Sequence, residues 1–265
     1  MRTGKDPLLL VQTAERGTTG RVVQVTVNNP ERRNVLGIPG KRQLAAAFRK
    51  IGRDPLVRVV ILTGAGMRSF IAGADLAEMK DLDRAGARTE HTWTHRACAA
   101  IRALPVPVIA RINGYCFGAG MEIAASCDLR VGVTHAKFGM PEVRFGIPSG
   151  MEACLLPQLI GWGKTRELVY TGDHIEALEA HRIGFLEKLV EPDMLDVAVE
   201  QWVASILAGG PRAIRLQKAL VRDWERLSIE KAVQAGIHAC VEARRTDEPK
   251  RLMTAFLERK KRVDR

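Results

Sequence analysis

Two glutamates stand in segments whose small residues would let a ligand approach the backbone. Glu122 follows the glycine-rich turn in RINGYCFGAGMEIAASCDLR, residues 111 to 130, and Glu142 lies in KFGMPEVRFGIPSG, residues 137 to 150. A glutamate in the first turn of a helix usually only complements the helix dipole, and one in a loop is usually solvated. If the two carboxyl groups converge beside a reacting carbon, however, they form a general acid/base pair.

A second run of small residues, GAGMRSFIAGADLAEM at residues 64 to 79, follows an apolar stretch at residues 57 to 62. Like the segment that contains Glu122, it reads as a strand, a small-residue turn and a helix start, so free N–H groups point out of the turn. One such turn is usually a packing feature between a helix and a strand. Two side by side predict an oxyanion hole, a pair of N–H donors for a carbonyl oxygen that gains negative charge.

Other partial motifs do not complete a recognised site. Residues 161 to 165, GWGKT, end like a phosphate-binding P-loop, but Gln158 stands where its first glycine belongs. His91 and His95 share a helical face with Cys98 nearby, yet no known ligand spacing accompanies them. The sequence therefore predicts no metal site, and it contains no GxSxG nucleophile turn.

The composition is that of a globular protein with a basic surface. The chain has 265 residues, of which 46% are hydrophobic and 27% charged, and no apolar window is long enough to predict a membrane span. Its five cysteines are odd in number and unclustered, which favours reduced thiols and a cytoplasmic location. The net charge of +11 favours an anionic partner, although much of it lies in a C-terminal tail that reads as a solvated helix.

Strands that alternate with helices must position these groups. The sequence predicts strands at residues 8 to 12, 21 to 27, 59 to 63, 108 to 112 and 129 to 133, and helices at 41 to 53, 85 to 103 and 121 to 127. From about residue 150 onward, including residues 151 to 160 and 175 to 183, the pattern favours helix. We therefore expect an α/β core over residues 1 to 208 and a helical C-terminal region over residues 209 to 265.

Together these segments resemble the crotonase, or enoyl-CoA hydratase/isomerase, superfamily. The likeness rests on SFIAGADLAEM, INGYCFGAGMEIAASCDLR and FGMPEVRFGIP, and is extended by NPERRNVL near the start and by residues 170 to 190. It covers roughly residues 8 to 260. The resemblance implies a crotonase-like α/β spiral of ββα units, a C-terminal helical trimerisation region, and a homotrimer or homohexamer.

The resemblance also implies a role for each site residue. The N–H groups of Ala72 and Ala119 would hold the thioester oxygen of an acyl-CoA substrate. Glu122 would remove a proton from water as it attacks C3 of a 2-enoyl-CoA, and Glu142 would protonate C2. Further substrate contacts are expected from Gly73, Ala74, Asp75, Leu76, Arg33, Phe256 and Lys260, with Arg32, Arg68 and Lys261 as additional phosphate partners. CoA is part of the substrate, so no separate cofactor is expected, and the enzyme would serve fatty acid and lipid metabolism.

Two alternatives remain open at this point. Isomerases and other enzymes of CoA-enolate chemistry share the superfamily, but isomerases commonly keep only one of the two carboxylates, so the presence of both favours hydration. An RNA-binding crotonase-like protein would suit the basic charge, yet aromatic residues make up only 5% and form no stacking platform. Family hydratases read G-T-I-P-G-x-G-G after the second glutamate. In this chain the corresponding segment, residues 146 to 152, is shorter and ends in a third carboxylate, Glu152. This difference leaves the acyl group of the substrate undefined.

Overall fold

Strands and helices alternate through most of the chain, as the sequence predicts. The computed structural model describes residues 7 to 263, and side chains up to residue 260. The strands are β1 Leu9–Glu15, β2 Arg21–Val27, β3 Val57–Gly64, β4 Ser69–Ile71, β5 Val108–Ile112, β6 Tyr115–Phe117, β7 Leu129–Val133, β8 Lys137–Gly139, β9 His174–Glu176 and β10 Lys188–Val190. The helices are α1 Ile38–Ile51, α2 Leu76–Met79, α3 Arg84–Arg102, α4 Ala119–Ala125, α5 Leu156–Thr171, α6 Ala177–Arg182, α7 Leu195–Ala208, α8 Pro211–Trp224, α9 Ile229–Ala243 and α10 Glu248–Val263.

The larger sheet has six strands in the order β1-β2-β3-β5-β7-β10. Only β1 runs antiparallel to its neighbour; the remaining pairs are parallel. Every residue of β3 is buried, which explains its nearly continuous apolar sequence, because a parallel strand covered on both faces has no solvent side. This sheet belongs to the first of two compact units, Met1–Val203.

The smaller sheet has four short strands in the order β4-β6-β8-β9. Successive strands are shared between the sheets: β3, β5 and β7 enter the larger sheet, and β4, β6 and β8 follow them in the smaller one. A helix comes after β4 and after β6, and a 3₁₀ turn, Pro141–Phe145, comes after β8. This is the predicted crotonase-like spiral of ββα units.

The three parallel strands of the smaller sheet bring separate loops to one edge. β4 pairs with β6, and β6 pairs with β8, all in parallel. The carboxyl ends of parallel strands meet at the same edge of a sheet, so residues 72 to 75, 118 to 120 and 140 to 142 leave the sheet side by side. The two small-residue turns and Glu142 are thereby placed together, although they are far apart in sequence.

Two helical predictions are corrected by the structure. Residues 151 to 160 do not form one helix: a 3₁₀ turn, Met151–Leu155, precedes α5, and α5 itself is kinked at Gly161, whose φ is 75°. Residues 175 and 176, at the start of the helix predicted at 175 to 183, instead belong to β9, which pairs antiparallel with β8. The extended conformation of β9 depends on its hydrogen bonds to β8. Such pairing with a distant strand cannot be predicted from three residues of local sequence.

The second unit, Ala204–Arg265, begins inside α7, which ends near the sequence-predicted boundary. It contains α8, α9 and α10. Glu248 of α10 accepts hydrogen bonds from the first amides of α8, those of Arg212 at 3.1 Å and Ala213 at 3.0 Å, and so caps that helix. Among residues 7 to 263, no helix is long and apolar enough to cross a membrane.

The packing of α4 against β4 yields a stability prediction. A Cβ atom added to Gly120 would lie 2.0 Å from the carbonyl oxygen of Ile71, so Gly120→Ala must force the two elements apart. We expect a loss of about 1–3 kcal/mol in the free energy of unfolding, measured by chemical denaturation. Gly163→Ala in α5 is the matched control, because nothing lies within 4 Å of its added Cβ. Equal effects of the two substitutions would contradict this account of the packing.

Candidate active site

A cavity of about 480 Å³ opens at the carboxyl edge of the smaller sheet. Its wall combines the loops after β4, β6 and β8 with part of α3 and with a segment near residues 31 to 35. Ten of the residues named from the sequence for catalysis or substrate binding border it: Arg32, Arg33, Ala72, Gly73, Ala74, Asp75, Leu76, Ala119, Glu122 and Glu142. All residues that line it belong to the first unit, so the site can be described within that unit.

The first turn exposes the amide of Ala74 through the conformation of Gly73. Gly73 has φ of 116°, a value that L side chains rarely adopt, and its carbonyl oxygen accepts a 3.0 Å hydrogen bond from the amide of Leu36. In a trans peptide the carbonyl oxygen and the following N–H point in opposite directions. The Ala74 N–H therefore points away from Leu36, and within residues 7 to 263 it has no hydrogen-bond acceptor.

The predicted role of Ala72 is contradicted by its hydrogen bond. The Ala72 amide donates to the carbonyl oxygen of Arg33 at 3.1 Å, so this N–H is already used to hold the turn against the segment before α1. The unused donor of the turn is two residues further on, at Ala74. Sequence alone could not separate them, since both are alanines that flank Gly73, and only the direction of the peptide groups distinguishes their amides.

The second turn presents the amide of Ala119 at the start of α4. Gly118 has φ of 52° and ψ of −121°, and its own N–H donates to the carbonyl oxygen of Gly139 at 2.9 Å. Ala119 is the first helical residue and has no intrahelical acceptor, as expected for a helix start. No acceptor for its N–H occurs elsewhere in the described part of the chain. Ala119 borders the cavity.

Glu122 projects from α4 one turn after Ala119 and is 2% exposed. Burial raises the pKa of its carboxyl group to about 8, because desolvation penalises the charged form. The amide of Ala153 opposes this shift by donating to Oε1 at 3.1 Å, whereas the nearby Glu142 and Glu152 raise the pKa further. A carboxyl group that holds a proton near neutral pH suits proton transfer.

Glu142 lies in the 3₁₀ turn after β8 and is half-buried. Burial raises its pKa, and the Ser149 hydroxyl group opposes the shift by donating to Oε2 at 2.8 Å. Its other oxygen, Oε1, lies 2.5 Å from the position that a Cβ on Gly118 would occupy. Glycine at position 118 is thus required twice, for its backbone conformation and for the space that the Glu142 carboxyl group takes beside the start of α4.

Asp75 and Arg32 form a bidentate ion pair at the cavity wall. The guanidinium group donates to both carboxylate oxygens, at 2.6 and 2.7 Å, and Oδ1 also accepts from the amide of Ala77. Burial opposes ionisation of Asp75, but these hydrogen bonds outweigh it, so its pKa is lowered. The neighbouring Arg33 is exposed, and its guanidinium carbon lies 5.4 Å from the centre of the Tyr115 ring. Arg33 is the freer of the two cations.

Several residues named from the sequence lie outside the cavity lining. Phe256 and Lys260 are exposed on α10 in the second unit, Arg68 is exposed after β3, and the side chain of Lys261 is outside the described residues. Glu152 is buried, and its Oε1 lies 2.8 Å from Nδ1 of His95. Within residues 7 to 263, no group of three His, Cys, Asp or Glu side chains could hold a metal ion.

Other polar residues at the site were not identified from the sequence. Ser149 holds Glu142, and Glu90 and Thr94 of α3 border the cavity. Lys41 of α1 is fully buried and forms an ion pair with Glu90. The helical spacing of α1 indicates that Lys41 is buried, because it lies on the same face as Leu44 and Phe48. The sequence does not indicate which residue would pair with this buried lysine.

Comparison with known proteins agrees with this fold. Solved structures with the crotonase fold superpose closely: an enoyl-CoA hydratase from Mycobacterium smegmatis has a TM-score of 0.91 at 30% identity, covering 96% of this chain and 97% of its own. The family model described as enoyl-CoA hydratase/isomerase matches residues 17–263. The chain belongs to the enoyl-CoA hydratase/isomerase family, within the crotonase superfamily.

Curated relatives give a similar result. The chain is 36% identical to a short-chain-enoyl-CoA hydratase of Clostridium acetobutylicum, over 91% of this chain and 93% of the relative. It is 38% identical to a crotonyl-CoA hydratase of Syntrophomonas wolfei, over 89% and 91% of the two chains.

The raised pKa of Glu122 predicts a pH-dependent stability change. The folded chain binds this proton more tightly than the unfolded chain, so folding loses stability as pH rises from about 4.5 to about 8. Glu122→Gln removes this loss while its amide oxygen can still accept from Ala153. Relative to the wild type, the variant should gain about 2 kcal/mol or more at pH 9 and much less at pH 4, since one pKa unit corresponds to ~1.4 kcal/mol.

Thermal or denaturant unfolding at both pH values measures this difference. Glu258→Gln, at an exposed glutamate of α10, is the control for the loss of a carboxyl group alone and should show no such dependence. A Glu122→Gln variant whose stability relative to the wild type is the same at pH 4 and pH 9 would contradict the shifted pKa.

Proposed function

We propose that this chain adds water across the double bond of a 2-enoyl-CoA and releases a 3-hydroxyacyl-CoA, with Glu122 and Glu142 as the acid/base pair. The activity class rests on family membership and on the hydratases to which the chain is similar over about nine-tenths of its length. The residue roles rest on one observation. Two protonatable carboxyl groups border the same cavity as two backbone amides for which the described part of the chain provides no acceptor.

The amides of Ala74 and Ala119 are the proposed donors to the thioester oxygen. When water attacks C3 of a conjugated thioester, negative charge develops on the carbonyl oxygen as an enolate. Two fixed N–H donors stabilise that charge more than the neutral substrate, so they lower the barrier, and one such donor is typically worth about 3 kcal/mol. The donor pair differs from the one inferred from sequence only in that Ala74 replaces Ala72.

The two glutamates are proposed to hold the attacking water and to exchange its proton. Glu122 removes a proton from the water as oxygen bonds to C3, and Glu142 delivers a proton to C2. The pair holds one proton before and after the step. In the unliganded chain the larger pKa shift leaves that proton on Glu122, and the shared water offers the route by which it reaches Glu142 before attack.

The remaining contacts of the substrate follow the same proposal. Gly73, Asp75 and Leu76, which border the cavity, are proposed to form the wall beside the CoA, and the exposed cation Arg33 is proposed to meet a phosphate. The reaction needs no separate cofactor, because CoA is carried by the substrate. Phe256 is proposed to pack near the adenine of a CoA bound by a neighbouring subunit, and Lys260 to contact a CoA phosphate.

A homotrimer or homohexamer in the cytoplasm completes the proposal. Exposed apolar side chains recur along one face of α9, at Ile229, Val233, Ile237 and Val241, as expected where subunits pack together. None of the five cysteines, all of which lie within the described residues, forms a disulfide, which suits a reducing compartment. Isomerisation is the less favoured reaction, because isomerases commonly keep only one of the two carboxyl groups of the pair, and here both Glu122 and Glu142 border the cavity.

Crotonyl-CoA hydration, followed as loss of the conjugated absorbance, tests the reaction. Glu122→Gln and Glu142→Gln should each lower kcat by about 10²–10⁴, the usual contribution of a positioned acid or base. Glu258→Gln should retain wild-type activity. For the wild type, kcat/KM should fall above a pH of about 8, as the pair loses its last proton.

An unimpaired Glu142→Gln variant would remove Glu142 from the reaction. A wild-type enzyme that is fully active at pH 10 would contradict the requirement for a protonated pair. If the wild type hydrates no enoyl-CoA at all, the proposed reaction is wrong.

A further inference from the structure

A third carboxyl group, that of Glu152, is buried beside the site but has no part in the proposed hydration step. Glu152 is 6% exposed, and the cavity lining ends one residue before it, at Met151. Burial raises the pKa of its carboxyl group, because desolvation penalises the charged form. A residue in this position does not touch the substrate, so it can act on the reaction only through a neighbour.

The next residue along the chain provides that neighbour. The amide of Ala153 donates to Glu122 Oε1 at 3.1 Å, and among the described residues it is the only hydrogen-bond donor to this carboxyl group. In a protonated carboxyl group the carbonyl oxygen is the better acceptor, so this hydrogen bond favours the proton on Oε2. The position of the Ala153 amide therefore determines how Glu122 presents its proton.

The turn that carries this amide, Met151–Leu155, begins in an unfavourable conformation. Met151 has φ of 39°, in the left-handed region that residues other than glycine rarely adopt. Such a conformation persists only where the surrounding structure holds it. The Ala153 amide also donates to the carbonyl oxygen of Gly150 at 3.0 Å, but this bond lies within the same segment. A contact with another element of the fold is needed to fix the turn relative to Glu122.

His95 of α3 makes a contact of this kind. Its Nδ1 lies 2.8 Å from Glu152 Oε1, and because an ionised carboxylate can only accept, the imidazole ring is the donor. This hydrogen bond opposes the effect of burial on the pKa of Glu152 and so favours its ionised form. The His95 side chain is 60% exposed, so it can be replaced without opening the core.

We propose that His95 and Glu152 are positioning residues for Glu122. Their hydrogen bond ties the Met151–Leu155 turn to α3, and the turn keeps the Ala153 amide on Glu122 Oε1, so that proton exchange takes place at Oε2. Both residues lie outside the cavity lining, so they act on the rate of the reaction and not on substrate binding. This inference rests on the proposed function, because Glu122 is the acid/base group that is positioned.

Hydration of crotonyl-CoA by His95 variants tests this role. His95→Ala removes the donor and should lower kcat about tenfold while KM changes less than about twofold, because proton transfer is misaligned and substrate binding is not. His95→Asn offers an amide N–H near the place of Nδ1 and should restore most of the activity. Thr89→Ala is the matched control on the same helix: Thr89 is exposed, its hydroxyl donates to the carbonyl oxygen of Ala85, and its loss should leave both constants unchanged.

A double variant shows whether His95 acts through Glu122. In a Glu122→Gln background, His95→Ala should lower kcat by less than about a further twofold, since the group that it positions is already gone. A further tenfold loss in this background would overturn the proposal. Wild-type activity of the single variant His95→Ala, or a His95→Asn variant as impaired as His95→Ala, would do the same.

Hydrogen–deuterium exchange measures the link between His95 and the turn without requiring catalysis. In the full-length protein, amide exchange is followed by mass spectrometry in a peptide that spans residues 150 to 156. His95→Ala should exchange about tenfold faster in this peptide than the wild type, whereas His95→Asn should stay close to it. Unchanged exchange in His95→Ala would overturn the positioning role and leave the hydration reaction standing. Faster exchange in a protein that hydrates no enoyl-CoA would support the link and overturn the reaction.

Discussion

The conformation of one peptide group, between Gly73 and Ala74, determines what the site can do. The carbonyl oxygen of this group accepts a hydrogen bond from the Leu36 amide, so the N–H of the same group, that of Ala74, must point the other way. The preceding amide, that of Ala72, donates to the carbonyl oxygen of Arg33. Gly73 permits this orientation of the peptide group because glycine can adopt a φ of 116°. A side chain at position 73 would strain the backbone and approach the carbonyl oxygen of Phe117, at 3.3 Å, where the second turn begins.

The surrounding fold keeps that donor beside the groups with which it acts. Parallel pairing of β4, β6 and β8 brings three loops to one edge, and the close contact between Gly120 and Ile71 fixes the distance between two of them. The same packing buries Glu122, which raises its pKa and destabilises the folded chain at high pH.

Much of this arrangement could be predicted from sequence, but not all of it. The buried strands and the two small-residue turns are visible because apolar runs and glycines leave strong local patterns. The strands of the smaller sheet have three residues each, which is too few for a periodic sequence pattern. Strands β4, β6 and β8 can therefore be identified only from their pairing in the structure. The amide directions at Ala72 and Ala74, and the partner of Lys41, depend on contacts between segments far apart in the chain.

The central claim is that the amides of Ala74 and Ala119 together bind the thioester oxygen. A crystal structure of the protein with a bound saturated acyl-CoA measures this directly. We expect the thioester oxygen to lie about 2.7–3.2 Å from both amide nitrogens, while the Ala72 amide remains hydrogen-bonded to the carbonyl oxygen of Arg33. An oxygen that contacts the Ala72 amide instead, or that reaches only one of the two predicted donors, would contradict it.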